Sequence, residues 1–206
     1  FKDIRKSGVL LHPTSLPGKE LYGDIGPNAY KFIDDLSYMG QSLWQILPIG
    51  PVDQYNSPYS STSTFAGNEL LISLDLLVED NLLDQKDLNE FRSFDKVKTN
   101  FTDFSNYKRS LLKQVASKFN SNANDNIKDK FDTFCTNESY WLDDYVKFCA
   151  LKDCNSHKQW FEWTSSAYSP TDITLYKIIQ FFFDVQWKNL KRYCKSKNVN
   201  IIGDMP

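Results

Sequence analysis

Histidine and cysteine are scarce in this chain of 206 residues, which has two of the first and four of the second. Cys135, Cys149, Cys154 and Cys194 form no CxxC pair, and only His12 and His157 stand beside them, so no metal site is expected. The four thiols read as reduced cysteines of a cytoplasmic protein. A surplus of one charge is also missing. The formal net charge is −2, which gives no basic footprint for nucleic acid. No apolar run approaches the ~18 residues of a membrane span, and no charged-then-apolar segment opens the chain as a signal peptide would. Neither internal repeats nor low-complexity tracts occur. The first residue is Phe1 rather than methionine, and Pro206 follows an apolar run directly, so both ends read as cut.

Aromatic residues are abundant, at 15%, with five Trp, eleven Tyr and fifteen Phe. Such rings stack on sugar faces and equally fill ordinary cores, so composition leaves that choice open. Length allows a sizeable core, in one domain or two small ones.

Residues 7–12 hold the run Val9-Leu10-Leu11, the length of a strand buried on both faces. A helix is predicted over 27–39. Pro27 suits its first turn, Ala29, Phe32, Ile33, Leu36 and Met39 share one face, and Gly40 supplies the stop. Residues 42–49 form a second strand candidate, completing a βαβ unit and implying a parallel sheet. The alternation then lapses from Leu70 to Asn155. Helices are predicted there over 74–82, 106–119, 125–135 and 139–153, with residues 120–126 a solvated linker and the best boundary inside the insertion. Asp172 is placed to cap a long helix whose stripe is Tyr176, Ile179, Phe183, Trp187, Leu190 and Cys194. Residues 199–204 are a third strand ending in a carboxylate. These elements fit either an open α/β sheet or the start of a (β/α)8 barrel. In both, function gathers at strand ends, where His12, Pro48 and Asp204 fall.

Six segments carry a resemblance. They are Leu10-Leu-His-Pro-Thr-Ser-Leu-Pro-Gly18, Gly40-Gln-Ser-Leu-Trp-Gln-Ile-Leu-Pro48, Ser57-Pro-Tyr59, Phe65-Ala-Gly-Asn68, Trp160-Phe-Glu-Trp163 and Ile201-Ile-Gly-Asp-Met-Pro206. In order and rough spacing they resemble landmarks of the 4-α-glucanotransferases, also called amylomaltases or disproportionating enzymes. Residues 85–138 carry nothing specific. The resemblance implies an α/β fold, an incomplete (β/α)8 TIM barrel comprising its first three strands. Residues 1–69 and 170–206 would begin the barrel, and 70–169 would be an inserted, mainly helical subdomain. It further implies transfer of α-1,4-glucan segments between maltooligosaccharides or starch-type glucans, with retention through a covalent glycosyl-enzyme. No cofactor, nucleic acid or membrane partner is implied. The family's nucleophilic Asp, acid/base Glu and stabilising Asp belong to later strands, so no catalytic residue is expected here; all three would follow Pro206. The competing readings are an α-glucan hydrolase of similar barrel, a non-catalytic α-glucan-binding fragment, and a helical interaction module.

Ser57, Tyr59 and Asp204 are the substrate-binding candidates. By resemblance Asp204 lines the site and holds sugar hydroxyls or neighbouring side chains; pattern alone reads it as a turn or N-cap residue. Tyr59 offers a ring for stacking and a hydroxyl, and by resemblance it and Ser57 contact glucan near the scissile bond; the plain alternative is loop packing. His12 divides evenly between rim contact and loop brace. Trp160 and Trp163 read as subdomain core in preference to a sugar platform, and Trp44 and Trp187 as core. The adjacent pairs Asp34-Asp35, Glu79-Asp80 and Asp143-Asp144 diverge by about 100° around a helix, so they read as solvated faces. Where the family has a glycine-rich loop this chain has Val52-Asp-Gln-Tyr-Asn56, with Tyr55 as a substitute contact.

Overall fold

The βαβ pattern of the first fifty residues is present in the computed structural model, which describes residues 5–53, 56–93 and 100–205. Strand β1 (Gly8–Leu10) leads to helix α1 (Pro27–Tyr38) and strand β2 (Leu43–Gln45). Pro27 begins α1, and Gly40, at φ +71°, ends it. The Gln41 N–H bonds back to Leu36 O at 2.9 Å, the closing bond of a Schellman turn that needs a residue tolerant of positive φ at Gly40. Strand β3 (Asn200–Ile202) joins β2, so the described residues contain a three-stranded parallel sheet in the order β1-β2-β3, with Val9, Trp44 and Ile201 in register. The rest is mostly helical, an α/β protein.

The sheet corrects one expectation. The strands are covered on one face only. Trp44 is fully buried against Phe32, whose ring meets it edge-on at 5.2 Å, and Val9 and Ile201 pack into the same core. Their neighbours Leu10 and Ile202, on the opposite face, are 58% and 41% exposed. The strand order explains this. Each strand is added on the same side of the last, and right-handed crossovers then put both connections on one face of the sheet.

Between β2 and β3 lie α2 (Leu74–Glu79), α3 (Gln85–Arg92), α4 (Phe101–Ser117), α5 (Phe119–Asn122), α6 (Asp125–Asn137), α7 (Ser139–Cys154) and α8 (Pro170–Ser196). Helix α3 was not expected, because its stripe is short, with Leu88 and Phe91 its buried residues. Helix α4 starts five residues before its expected position, where the Asn100 side chain caps the Asp103 N–H at 2.9 Å. The expected linker at 120–126 is mostly structured: α5 occupies its first half, Asn124 caps α6, and Phe119 and Ala123 are buried. Ser169, and not Asp172, is the N-cap of α8; Asp172 is the third helical residue and completes a reciprocal capping box.

Helix α8 is the spine. Residues 178–183 are buried all round, because α4, α6 and α7 pack along it and the 66–73 loop lies against it. Two glutamines fasten that loop. Gln180 accepts from Gly67 N–H at 2.8 Å and donates to Gly67 O at 3.0 Å; Gln186 does the same for Ser73 at 2.7 and 3.0 Å. Each amide replaces the strand partner that a buried peptide otherwise lacks. Of the neighbouring carboxylates, Asp143 pairs with Lys177 of α8 at 2.5 Å while Asp144 faces outward, the divergence expected of adjacent helical positions.

Candidate functional site

The strands point their carboxyl ends to one rim, the place where open and closed parallel sheets alike collect ligands. The chain leaves β2 through Pro48, and at the far end of the loop Asn68 opens a tight turn at Glu69–Leu71. Within this loop an antiparallel bridge joins Val52 to Ser61, and Asn68 N–H bonds to Ile49 O at 2.8 Å. The loop is therefore closed at its base and held from behind by Gln180.

Tyr59 and Asp204, 145 positions apart, meet here. The Tyr59 hydroxyl donates to Asp204 Oδ2 at 2.6 Å, and Ser57 Oγ accepts the Tyr59 N–H at 3.3 Å. The three predicted residues are thus brought together in one hydrogen-bonded chain at the end of β3. Tyr59 remains 50% exposed. The carboxylate beside it raises the phenol pKa above its ordinary value, so the hydroxyl stays protonated and donates. A carboxylate has about four acceptor sites, so one such bond leaves Asp204 with capacity for further donors. Tyr55 lies outside the described residues.

His12 resolves toward bracing. Its Nδ1 lies 2.7 Å from the Thr14 hydroxyl and accepts the Thr14 N–H at 3.3 Å, while Nε2 reaches Pro48 O at 3.4 Å. Burial lowers its pKa, which suits a neutral ring linking the ends of β1 and β2. Trp44 donates its indole N–H to Leu11 O at 2.7 Å and is core, as expected. Trp187 is half-buried against that core. Trp163 is half-buried beside Phe148, but Trp160, which opens the short turn Trp160–Glu162, is not core: it is 70% exposed.

Sequence reasoning missed a second polar cluster, between the β1–α1 connection and helices α2, α3 and α4. Lys108 is fully buried and donates to Glu20 Oε2 at 3.1 Å; Arg92 reaches Glu20 Oε1 at 3.4 Å and holds Asp75 through both oxygens at 2.9 and 2.6 Å. Asp24 joins them, its pKa raised to about 6 chiefly by burial and opposed by Lys108. A cleft of about 180 Å³, lined among others by Gly18, Glu20, Asp24 and Arg92, opens over the cluster. The available signal was Lys108 itself, four residues from both Phe104 and Leu112 in an apolar stripe. Among the described residues no group of three or more His, Cys, Asp and Glu is placed to hold a metal ion, and no helix is long and apolar enough to cross a membrane.

The model of one protein family, described as 4-alpha-glucanotransferase, matches residues 11–206. The chain belongs to this family. It is 40% identical over 210 residues to the 4-alpha-glucanotransferase of Clostridium butyricum, covering 95% of this chain and 42% of that one. It is 36% identical over 217 residues to the 4-alpha-glucanotransferase of Synechocystis sp., covering 99% and 43%. An amylomaltase from Streptococcus agalactiae, solved in complex with acarbose, superposes with a TM-score of 0.89 at 32% identity, covering 98% of this chain and 43% of the other. The chain thus spans about two fifths of the length of the relatives it matches.

Proposed function

We propose that this chain forms the first part of a 4-α-glucanotransferase, which moves α-1,4-glucan segments between maltooligosaccharides with retention, and that Ser57, Tyr59 and Asp204 belong to its glucan-holding wall. The observation that carries the reading is the 2.6 Å bond from Tyr59 to Asp204. It sets an exposed aromatic ring and a carboxylate side by side at a strand end, in a chain of this family. The ring presents an apolar face to a glucose unit, and the carboxylate accepts from its hydroxyls. The unidirectional strand order with one uncovered face favours a (β/α)8 barrel over an open sheet clothed on both sides. On this reading residues 1–69 and 170–206 begin the barrel, 70–169 are the inserted subdomain, and the setting is cytoplasmic.

Retaining transfer needs two carboxyl groups about 5–5.5 Å apart, one attacking the anomeric carbon and one protonating the leaving oxygen. We assign neither role to Asp204, which serves by holding sugar; the reacting pair is supplied by the part of the family outside these 206 residues. The test is a pair of measurements. The 206-residue chain titrated with maltoheptaose should bind it and leave it unchanged. A chain extended to its relatives' length should convert maltotriose to glucose and longer maltodextrins. Glucose without longer products would mark a hydrolase, and absence of binding would overturn the wall.

A further inference from the structure

Residues 178–183 of α8 read Ile-Ile-Gln-Phe-Phe-Phe, and Gln180, 3% exposed, is the one polar side chain in this buried run. An amide there is costly unless both its ends are bonded. Both are, and to a single peptide unit of the rim loop, through the N–H and the carbonyl of Gly67. The helix has no need of an amide at this position; the loop does. Gly67 also sits so close to Phe183 that an added Cβ would stand 2.0 Å from that ring. From Gly67 the hold passes back along the loop. Ser63 Oγ accepts the N–H of Phe65 at 3.3 Å and of Ala66 at 3.1 Å, and Ser61 Oγ donates to Ser63 O at 2.8 Å. Ser61 is the residue that bridges Val52, and Tyr59 stands two positions before it. The same helix α8 leads through β3 to Asp204. Both partners of the Tyr59–Asp204 bond are therefore placed from one helix.

We propose that Gln180 is a positioning residue of the glucan-holding rim: its clamp on Gly67 sets, through Ser63 and Ser61, where the Tyr59 ring stands beside Asp204. The inference rests on the glucan-holding reading of Tyr59 and Asp204. The bond between those two is solvent-exposed, and such a bond adds little net stability, so it does not fix the ring by itself. A ring that is in place before sugar arrives saves the ordering cost of binding, and that requires a hold on its backbone. Gln186 provides the contrast. It clamps Ser73 with the same two bonds and is equally buried, at 3%. Ser73, however, lies beyond the Glu69–Leu71 turn as the N-cap of α2, and nothing links it to Tyr59 through the loop serines.

Maltoheptaose titrated by calorimetry into the 206-residue chain tests this as a double-mutant cycle between Gln180 and Tyr59. Gln180→Leu should weaken binding about tenfold in the parent, and by less than about twofold in Tyr59→Ala, where no ring remains to be placed. Ser63→Ala, outside the core, should repeat the pattern with a loss of about threefold, and it carries the cycle if Gln180→Leu does not fold. Gln186→Leu should lower the urea midpoint as Gln180→Leu does, yet leave sugar affinity within about twofold. If Gln180→Leu and Ser63→Ala weaken binding equally with and without the Tyr59 ring, or Gln186→Leu weakens it as much, the clamp is general scaffolding and the proposal is overturned. If both variants bind like the parent while Tyr59→Ala is impaired, the positioning role is wrong and the rim reading stands. If Tyr59→Ala itself binds like the parent, the rim reading falls and the positioning role with it.

Discussion

Polar side chains occupy two contrasting settings in this molecule. Between the β1–α1 connection and α4, Lys108 has lost all contact with water and gives its charge to Glu20, which Arg92 also reaches, while Arg92 grips Asp75. At the strand ends, Tyr59 and Asp204 bond to each other with the ring half in solvent. Both are hydrogen-bonded networks, but they answer different demands. A buried charge without a partner is so costly that the first network is required for the fold itself. An exposed pair exchanges water for a neighbour at little net gain, so the second is available to hold something else. The comparison teaches where to look for function: among polar groups whose bonding the fold does not need.

Substitution in the buried network should have the largest effect. Lys108→Met leaves the Glu20 carboxylate buried with only the longer Arg92 contact, and should cost about 3–5 kcal/mol in urea unfolding of the 206-residue chain. Adding Glu20→Gln should recover part of it, since the carboxylate that Lys108 paired is then neutral, while Asp24 still lacks the Lys108 charge. A loss below about 1 kcal/mol for Lys108→Met would erase the contrast between the two networks.

Next come the glutamine clamps. Gln186→Leu strands the buried N–H and C=O of Ser73, at about 1–3 kcal/mol for each unsatisfied group. Gln180→Leu strands those of Gly67, but Gly67 belongs to the rim loop that carries Tyr59. We therefore expect both variants to unfold at lower urea, and Gln180→Leu alone to weaken maltoheptaose binding as well. Equal effects on binding would mean that the rim loop is not positioned from behind.

The sequence made some of this legible. Pro27, Gly40 and the stripe Ala29, Ile33 and Leu36 announced α1, because caps and period act locally. Lys108, Gln180 and Gln186 were not legible, since nothing in a single sequence says which backbone a buried amide will meet 113 positions away, or which carboxylate a buried ammonium will meet 88 positions away. Strand burial was misjudged for a related reason. An apolar run such as Val9-Leu10-Leu11 shows that both faces tolerate burial, whereas strand order decides which face is covered. The pairing of Tyr59 with Asp204 was foreseen only as shared membership of one site, through family resemblance; the bond itself is a finding of the structure.

A smaller effect, with an unusual sign, is expected at Asp24. Its pKa rises from 3.8 to about 6 in the fold, so the folded state binds the proton more tightly than the unfolded one. Its contribution is full below about pH 4, falls as pH climbs toward 6, and is constant above. Asp24→Asn keeps an oxygen for the Gly26 N–H, which the carboxylate now accepts at 2.8 Å, and removes the charge. The variant should be more stable than the parent by about 1–3 kcal/mol at pH 7, with the difference vanishing near pH 4. Lys108, Glu20 and Asp75 surround the site, so a parent whose stability rises between pH 4 and 6 would show that Lys108 outweighs burial.

The mildest substitution probes the exposed network. Tyr59→Phe keeps the ring and removes the hydroxyl that donates to Asp204. Because that bond is solvent-exposed, urea stability should not change measurably. Maltoheptaose binding should weaken about tenfold or less, the scale of one neutral hydrogen bond, and Tyr59→Ala should weaken it further by removing the stacking face. Asp204→Asn separates the two roles of the carboxylate. It still accepts from Tyr59, so a larger loss than Tyr59→Phe would mean that the charge acts on sugar directly and not only by orienting the ring. If Tyr59→Ala binds glucan like the parent, Tyr59 is loop packing, and the rim joins the buried cluster as architecture.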